Sequence, residues 1–340
     1  MKIALDVMGG DNAPHSNIIG AKAFLENNKD ASLILVGDQE IINAQLREHN
    51  LTDHHRVKIH HASEVVTMNE KNPSKSFKTK PDSSIVQSVK LVKEGKADAV
   101  ISAGNTGALL SSSLFILGKI NGIKRPTLAT HFPTRSGGFI LSDVGANTDV
   151  KPIHLLQFAV MASVYSKYIK NIKSAEVGLL NIGAEENKGN ALTQAAYSQL
   201  KENINGFIGN IEPRYLFDQE IDVVVCDGFA GNVFIKLTEG LSAHLNSWIS
   251  SKSEVKSNPE IASTIDTVFD NYNYESHGAS PFLGVKGIVL KCHGACSHKS
   301  VTNALTLART LSEKNIITKI EEDLENNPSL SKDSESLNCE

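Results

Sequence analysis

The chain has 340 residues and a formal net charge of -4, and its composition of 40% hydrophobic and 21% charged residues is ordinary for a globular protein. This length is enough for one large α/β domain or two moderate ones. The lack of a basic excess excludes nucleic acid as the general partner, and no stretch approaches the roughly 20 apolar residues that a membrane-spanning helix needs. The first residues open directly into a strand-like run, so we expect no signal peptide, a cytoplasmic location and only peripheral contact with the inner face of the cell membrane.

Short apolar runs alternate with helical patterns along almost the whole chain. The interiors of these runs are rich in β-branched residues or leucine and show little alternation, which is typical of strands covered on both faces of a sheet. The predicted strands are Ile3–Val7, Leu33–Val36, Val57–His60, Ala99–Ser102, Phe139–Asp143, Val177–Ile182, Val223–Cys226 and Ile288–Lys291.

The segments between the runs carry helical spacing. One example is an apolar stripe that predicts a helix with one buried face, formed by Leu155, Phe158, Ala159, Ala162, Tyr165 and Ile169. The alternation of strands and helices predicts an α/β fold, Rossmann-like, with a largely parallel sheet and helices on both faces. We expect a single domain over residues 1–324 and a disordered polar tail over residues 325–340.

Residues 236–275 predict a protruding pair of amphipathic helices. The first stripe contains Leu237, Leu241, Leu245, Trp248 and Ile249, and the second contains Ile261, Ile265, Val268, Phe269 and Tyr272. Such a pair either touches lipid or builds the core of a dimer, and the sequence alone favours the dimer.

Glycine and small polar residues recur where the predicted strands end. In parallel sheets ligands bind beyond the carboxyl ends of the strands, and glycine allows the backbone to approach a ligand closely. Five such turns at the same type of boundary predict one shared crevice, and they are Asp6–Pro14, Ser102–Gly107, Asp143–Asn147, Asn181–Ala184 and Cys226–Asn232.

These turns and several further blocks, in the same order along the chain, resemble the bacterial phosphate acyltransferases, the PlsX family. The blocks extend from about Ile3 to Leu311, and their order makes the resemblance specific. They include Ile3–Pro14, Ser102–Leu109, Asp143–Asn147, Gly178–Gly183, Glu186–Asn190, Phe207–Asn210, Val225–Asn232, Leu283–Gly287, Lys291 and His293–Gly294.

The resemblance implies transfer of a long-chain fatty acyl group from acyl carrier protein to inorganic phosphate, which yields acyl phosphate for phospholipid synthesis. It also implies a Rossmann-like fold, a homodimer, peripheral membrane association and no organic cofactor. A membrane glycerol-3-phosphate acyltransferase is the expected downstream partner. Composition and spacing alone show none of these properties.

The reaction requires a site that holds an anion and stabilises a developing oxyanion. Backbone N–H groups at helix starts suit both tasks, because they are unpaired donors at the positive end of the helix dipole. We predict a phosphate cradle at Gly104, Asn105, Thr106 and Gly107, and a second cradle for the oxyanion or the pantetheine arm at Gly228, Gly231 and Asn232. The other predicted binding residues are Gly9, Gly10, Asp11, Asn12 and Asn147. The alternative is that Asn105 and Asn232 only cap helices.

Three residues are the candidates for catalysis. His293 follows a predicted strand and is a candidate either for protonating the departing thiolate or for holding phosphate, while Lys291 offers fixed positive charge. Asp227 ends a strand and is a candidate for orienting a catalytic group, although carboxylates at such positions often only cap loops. A structural role for His293 is equally compatible with the sequence.

The cysteines do not predict a metal centre. Cys292, His293, Cys296 and His298 lack a second Cys-x-x-Cys knuckle, so we interpret the thiols as incidental and expect no metal. Cys226 ends a buried strand, where burial makes a thiol inert, so we reject it as a nucleophile.

Acyl carrier protein is acidic, so its docking site should be basic. The candidate clusters are Lys71, Lys75, Lys78 and Lys80; Lys119, Lys124 and Arg125; and Lys167, Lys170 and Lys173. Lysine runs are usually solvated surface, and at least one cluster should be only that.

Three alternatives remain open. One is a phosphotransacetylase-like enzyme that uses acyl-CoA, and another is a non-catalytic scaffold that binds acyl carrier protein. The third, a nicotinamide dehydrogenase, is disfavoured because no Gly-x-Gly-x-x-Gly follows a strand with an acidic residue at the required distance.

Overall fold

The computed structural model describes residues 1–272 and 278–326, and the chain groups into two compact units. Unit 1 comprises Met1–Pro126 and the described residues from 278 onward, and unit 2 comprises the described residues from Thr127 to 272. The single domain over residues 1–324 stays a prediction. Residues 273–275 of the predicted helical pair and residues 327–340 of the predicted tail lie outside the described residues, and Glu325 is the last residue of a helix.

Strands and helices alternate through most of the described chain. The strands are β1 (Lys2–Asp6), β2 (Ser32–Gly37), β3 (Val57–His61), β4 (Ala99–Ser102), β5 (Thr127–Phe132), β6 (Phe139–Ser142), β7 (Val177–Leu180), β8 (Phe207–Ile211), β9 (Val223–Val225), β10 (Ser280–Leu283) and β11 (Ile288–Lys291). The helices are α1 (His15–Asn27), α2 (Gln39–Glu48), α3 (Ser76–Thr79), α4 (Ser84–Lys93), α5 (Thr106–Ser112), α6 (Pro152–Lys170), α7 (Ala191–Asn203), α8 (Gly228–Ser250), α9 (Ser253–Lys256), α10 (Pro259–Tyr272), α11 (His298–Glu313) and α12 (Ile316–Glu325).

Unit 1 contains a mostly parallel sheet in the order β3-β2-β1-β4-β11-β10. β1 pairs in parallel with β2 and β4, and β11 pairs in parallel with β4, whereas β10 is antiparallel to β11. The register sets Asp6 beside Ser102 and Ser102 beside Lys291. The carboxyl ends of β1, β4 and β11 therefore form one continuous edge.

Helices cover the sheet of unit 1, and α1 packs against α11 at close range. A side chain at Gly20 of α1 would place its Cβ 2.6 Å from the Cβ of Val301 in α11. Only glycine allows this approach. Ile18 and Phe24 of the same helix are completely buried.

Unit 2 contains a second mostly parallel sheet, in the order β5-β6-β9-β7-β8. β6, β9, β7 and β8 are parallel along the sheet, and β5 is antiparallel to β6. α6 packs on β6 and β9 on one side and on α7 on the other. Every residue of α6 from His154 to Ser166 is buried, so burial extends beyond the predicted apolar face because the helix contacts both the sheet and a second helix.

Two helices occupy most of the region where an amphipathic pair was predicted. α8 and α10 contact each other. The apolar stripe of α8 is exposed in the described chain, with 67% of Leu237 and 55% of Trp248 accessible to solvent. No helix in residues 1–272 or 278–326 is long and apolar enough to cross a bilayer.

The α/β fold class predicted from the sequence is confirmed. Each of the eight predicted strands is present, although four of them end one or two residues earlier than expected. Three strands in the described part of the chain were not predicted, namely β5, β8 and β10.

Candidate active site

The edge of unit 1 where β1, β4 and β11 end carries a buried carboxyl group. Asp6 is 1% exposed. Its Oδ2 accepts a hydrogen bond from the Ser102 hydroxyl at 2.6 Å, and its Oδ1 accepts one from the Met8 amide at 3.2 Å. Burial raises the pKa of Asp6, and these hydrogen bonds act in the opposite direction because they stabilise the charged form.

A buried lysine lies in register on the same edge. Lys291 is 8% exposed, and its ammonium group donates to the carbonyls of Cys292 and Ala103. Burial lowers the pKa of Lys291, while the nearby carboxyl groups of Asp6 and Asp11 favour its charged form. The site therefore contains a cation that is held in a fixed position by backbone carbonyls.

The glycine-rich turns after β1, β4 and β11 meet each other. A Cβ on Gly9 would lie 2.6 Å from the backbone nitrogen of Gly104, so only glycine permits this approach. Gly10 has a φ of +101°, and the Asp11 amide donates to the Gly294 carbonyl at 2.7 Å. The structure thus brings together the predicted residues of three separate loops within unit 1.

His293 and Asn12 lie on the more exposed side of these turns. Nδ1 of the half-buried His293 accepts a hydrogen bond from the Ala295 amide at 3.3 Å. In the neutral ring this places the proton on Nε2. Asn12 donates from its side chain to the Ala295 carbonyl at 3.3 Å, so it ties the turn after β1 to the turn that carries His293.

The side chain of Asn105 acts as a helix cap, as the alternative interpretation held. Its Oδ1 accepts from the Ala108 amide at 3.2 Å, and its Nδ2 donates to the Met68 carbonyl at 3.1 Å. The amides of Thr106 and Gly107 are in the first turn of α5 and have no partner within the helix. A cradle at this turn therefore uses backbone donors, and Asn105 fixes their direction.

In unit 2 the corresponding carboxyl group is Asp143, immediately after β6. It is fully buried and accepts hydrogen bonds from the amides of Gly145, Ala146 and Asn147, and from the Asn147 side chain at 2.7 Å. Burial raises the pKa of Asp143, although these donors favour its charged form. This aspartate organises the turn that contains Asn147.

The turn at Asn147 packs on the start of α8. The Gly228 amide donates to the Asn147 carbonyl at 2.7 Å, and a Cβ on Gly231 would lie 1.9 Å from the Asp143 carbonyl oxygen. Asp227 caps α8 by accepting from the Ala230 amide at 2.8 Å. Asn232 lies inside α8, so its interpretation as a helix cap was wrong: the cap is five residues earlier, at Asp227.

A large cavity that no sequence pattern had predicted lies against these residues. Its volume is about 620 Å³, and its lining is mostly apolar. The lining residues come from α6, β7, α7 and α8 and from the loops beside them: Leu155, Leu179, Leu180, Asn181, Ile182, Gly189, Asn190, Thr193, Pro213, Cys226, Asp227, Phe229, Ala230, Val233, Phe234 and Leu237. One feature of the sequence could have indicated the cavity: Phe229, Val233 and Leu237 are apolar at helical spacing, and they extend the apolar stripe of α8 toward the start of that helix.

Burial disfavours the nucleophilic thiolate form of two cysteines, Cys226 and Cys292. Burial raises the pKa of Cys226 well above its ordinary value. A hydrogen bond with Cys296, together with burial, does the same for the pKa of Cys292. Both thiols therefore stay protonated at neutral pH, as expected for incidental cysteines.

The comparison of the sequence with protein families matches residues 1–319 to the family described as "Fatty acid synthesis protein". The phosphate acyltransferase of Halothermothrix orenii is 43% identical over 331 residues, which cover 95% of this chain and 98% of that protein. This chain belongs to the phosphate acyltransferase family. The phosphate acyltransferase of Desulfitobacterium hafniense is 44% identical over 332 residues, covering 95% of this chain and 98% of the relative. The chain is therefore an acyltransferase enzyme.

Two solved structures share the fold of this chain. A phosphotransacetylase from Streptococcus pyogenes superposes with a TM-score of 0.64 at 15% identity, covering 92% of this chain and 94% of that chain. A branched-chain phosphotransacylase from Enterococcus faecalis gives a TM-score of 0.55 at 15% identity, covering 92% and 99%. At this level of identity the likeness supports the shared α/β fold alone.

Proposed function

We propose that this enzyme transfers a long-chain fatty acyl group from acyl carrier protein to inorganic phosphate, forming acyl phosphate for phospholipid synthesis. Membership of the phosphate acyltransferase family supports phosphate as the acceptor. The observation that carries the proposal of a long acyl chain is the apolar cavity of about 620 Å³ in unit 2. Its size lies within the range of roughly 300–1,000 Å³ that is usual for small-molecule sites.

In the proposed reaction an oxygen of phosphate attacks the thioester carbonyl carbon. The carbon–oxygen bond forms, an oxyanion develops, and the carbon–sulfur bond then breaks so that the pantetheine sulfur leaves as a thiolate, which takes up a proton. Phosphate is partly dianionic at neutral pH, so the attack needs no strong base. Positioning is therefore the main contribution, and it can supply about 7–11 kcal/mol of barrier reduction.

The residues at the edge of unit 1 are proposed to hold the phosphate. The first-turn amides of Thr106 and Gly107 offer donors at the positive end of α5. The turn that begins at Gly9 packs against Gly104, just before this helix. Lys291 adds a buried positive charge to this edge. His293 is proposed to give the proton to the departing thiolate, because its ring stays partly accessible beside these turns.

Residues of unit 2 are proposed to bind the acyl donor. Asp227 is at the cavity wall and fixes the first turn of α8, which begins at Gly228 and carries Gly231 and Asn232. Asn147 supports that turn through its backbone carbonyl. We propose that the apolar wall takes the acyl chain and that the polar end of the cavity faces the pantetheine arm.

Further proposals concern location and partners. Lys71, Lys75 and Lys78 are exposed and suit an acidic carrier protein, whereas Lys80 is paired with Glu70 at 2.7 Å. We also propose a homodimer and a cytoplasmic enzyme that touches the membrane peripherally. The exposed apolar stripe of α8 suits either the dimer contact or the contact with lipid. The product would pass to a membrane glycerol-3-phosphate acyltransferase.

The test compares acyl donors with inorganic phosphate as the common acceptor. Palmitoyl-acyl carrier protein, palmitoyl-CoA and acetyl-CoA are each incubated with the full chain and phosphate, and both acyl phosphate and free thiol are measured. The proposal expects equal amounts of the two products and the highest kcat/KM with palmitoyl-acyl carrier protein. Turnover of acetyl-CoA without turnover of the long-chain carrier substrate would favour the phosphotransacetylase alternative. No turnover of any donor would favour the scaffold.

A further inference from the structure

Two histidines and a glutamate come together on the surface of unit 1. His15 begins α1, Glu48 ends α2, and His49 is the residue that follows α2. One potential ligand atom from each residue lies within 4.8 Å of the other two. We propose that His15, Glu48 and His49 form a binding site for one divalent transition-metal ion, with Zn²⁺ as the best match.

The distance between the two imidazoles suits a shared ion. Nε2 of His49 is 3.4 Å from Nδ1 of His15. In a tetrahedral zinc site with Zn–N bonds of about 2.0–2.1 Å, neighbouring nitrogen atoms lie roughly 3.3–3.4 Å apart. The two rings are tilted by 55° with centroids 5.1 Å apart, so they are not stacked face to face. The two nitrogens are hydrogen-bonded to each other, and a bound ion would take the place of the proton between them.

The third ligand needs only a side-chain adjustment. Glu48 is exposed and is the last residue of α2, so its carboxylate can move by a rotamer change. Gln45, one turn earlier, donates to Glu48 Oε2 at 2.9 Å, and its Oε1 lies 3.4 Å from His15 Nδ1. Gln45 can therefore orient the glutamate. Two imidazoles and a carboxylate are a usual three-ligand set for zinc, with a fourth position open to water.

Charges of both signs surround the three side chains. The carbonyl end of α2 carries the negative end of the helix dipole, and Glu48 adds a full negative charge. Against these act the amino end of α1 at His15, the guanidinium of Arg47 next to Glu48, and the ammonium of Lys22, which donates to the His49 carbonyl at 3.0 Å. The ligand bonds must offset this opposition, so we expect micromolar rather than nanomolar affinity.

A bound ion would join the start of α1 to the end of α2. α1 begins three residues after Asn12, which belongs to the glycine-rich turn after β1. The site would therefore stabilise unit 1 near the proposed phosphate turn. His15, Glu48 and His49 have no role in the proposed acyl transfer, so the ion site is independent of that reaction.

The experiment uses the full chain after treatment with a chelator and desalting. Isothermal titration with ZnCl₂ should show one site per chain, and a thermal scan should show a higher Tm with Zn²⁺ than without it. His15→Ala and His49→Ala should each weaken binding at least tenfold, and Glu48→Gln should weaken it less. The matched control is His55→Ala, because His55 is exposed in the same unit and stacks on His54 rather than joining the cluster.

Cobalt substitution identifies the ligands. Co²⁺ bound by nitrogen and oxygen should show visible bands without the strong near-ultraviolet charge-transfer band of a thiolate complex, and these bands should be lost in His15→Ala. Binding that persists in His15→Ala and His49→Ala, a thiolate band in the wild type, or no binding at 100 μM Zn²⁺ would each overturn the proposal. Circular dichroism of each variant without metal establishes that it is folded.

Discussion

The hydroxyl group of Ser102 donates to the carboxylate of Asp6 at 2.6 Å, and both residues are almost completely buried. The bond joins the carboxyl ends of β1 and β4, which are adjacent in the sheet. It is one of the hydrogen bonds that stabilise the charged form of this buried carboxyl group at the edge where the glycine-rich turns meet. Its removal should therefore be measurable in both stability and pH dependence.

Ser102→Ala should destabilise the folded chain by about 1.5–3 kcal/mol at neutral pH, because a charged acceptor loses a buried donor. Burial raises the pKa of Asp6, so the stability linked to its proton is present below the unfolded pKa and is lost as pH rises through the folded pKa. Loss of the Ser102 donor raises that pKa further. The loss in free energy of unfolding relative to the wild type should therefore be larger at pH 8 than at pH 4.5, as measured by urea unfolding.

Ser88→Ala is the control for this change. Ser88 is equally buried, and its hydroxyl donates to the neutral Ser84 carbonyl at 2.7 Å. Its removal should cost about 0.5–1.5 kcal/mol with little dependence on pH, since no carboxylate is involved. Equal losses in the two variants at both pH values would contradict a charged Asp6.

Lys291 should contribute mainly to turnover. Lys291→Met removes the buried cation and should lower kcat by about 10²–10³-fold with palmitoyl-acyl carrier protein, the usual cost of removing one electrostatic stabiliser. Burial lowers the pKa of Lys291 from the ordinary lysine value of 10.5, so the ammonium group loses its charge at a lower pH than usual. The kcat of the wild type should fall as the pH rises through this range. The measurement is kcat against pH from 6 to 10. In Lys291→Met this decrease of kcat at high pH should be absent.

The control is Lys299→Met, which removes an exposed lysine in the first turn of α11. It should leave kcat within about twofold of the wild type, because exposed charges contribute little. A similar loss of kcat in both variants would mean that the effect of Lys291→Met is not local.

Two glycines in α8 should respond in opposite directions to the same substitution. At Gly231 a Cβ would lie 1.9 Å from the Asp143 carbonyl oxygen, so Gly231→Ala should push α8 away from the turn at Asn147 and destabilise unit 2. At Gly240 nothing lies within 4 Å of the added atom. Gly240→Ala should therefore stabilise the helix by about 0.5–1 kcal/mol through its higher helix propensity.

Thermal unfolding of both glycine variants measures these effects directly. Gly231→Ala should lower Tm by several degrees and weaken activity, while Gly240→Ala should raise Tm slightly and leave activity unchanged. If Gly231→Ala were as stable as the wild type, the close packing of α8 on the turn after β6 would be wrong.

The buried thiols should resist alkylation in the folded chain. Burial raises the pKa of Cys226 and of Cys292, so the reactive thiolate is scarce at pH 8 and reagents also lack access. Iodoacetamide followed by peptide mass spectrometry should find both unmodified in the native chain and both alkylated in urea. Rapid native labelling of Cys226 would reopen its role as a nucleophile.

The sequence predicted strands well where both faces of the strand are buried. Runs such as Ala99–Ser102 and Ile288–Lys291 matched the observed bounds because their apolar character does not depend on a neighbour. The strands that were missed are polar or interrupted: β5 contains Thr130 and His131, and β10 contains Pro281. β5 and β10 are also antiparallel partners of β6 and β11, so their extended conformation depends on tertiary pairing.

The candidate site was predictable in part, where a residue's own properties determine the local structure. Glycine marks a turn by its own conformational freedom, and the turns of unit 1 do meet. The roles of individual polar side chains were less accessible, because a side chain's partner is set by packing. Asn105 caps α5 while Asn232 lies inside α8, although both follow glycine-rich turns. The cavity was missed because its wall comes from elements far apart in sequence.

The apolar cavity of unit 2 should set the preference for acyl-chain length. Ala230 is in the first turn of α8 and lines the cavity, so Ala230→Phe would fill part of it with a phenyl ring. Each buried methylene contributes about 0.8 kcal/mol, so excluding about four of them should cost roughly 3 kcal/mol of binding for a long chain. KM for palmitoyl-acyl carrier protein should therefore rise by about 100-fold, while hexanoyl-acyl carrier protein should be turned over as before.

The matched control is Ala243→Phe, the same substitution on the same helix. Ala243 is exposed and is not part of the cavity wall, so this variant should leave both substrates unaffected. Measuring kcat/KM for both chain lengths in both variants separates a lost acyl site from a general loss of fold. An equal decrease for the two substrates in Ala230→Phe would indicate a distorted α8, and no change for either would place the acyl chain elsewhere.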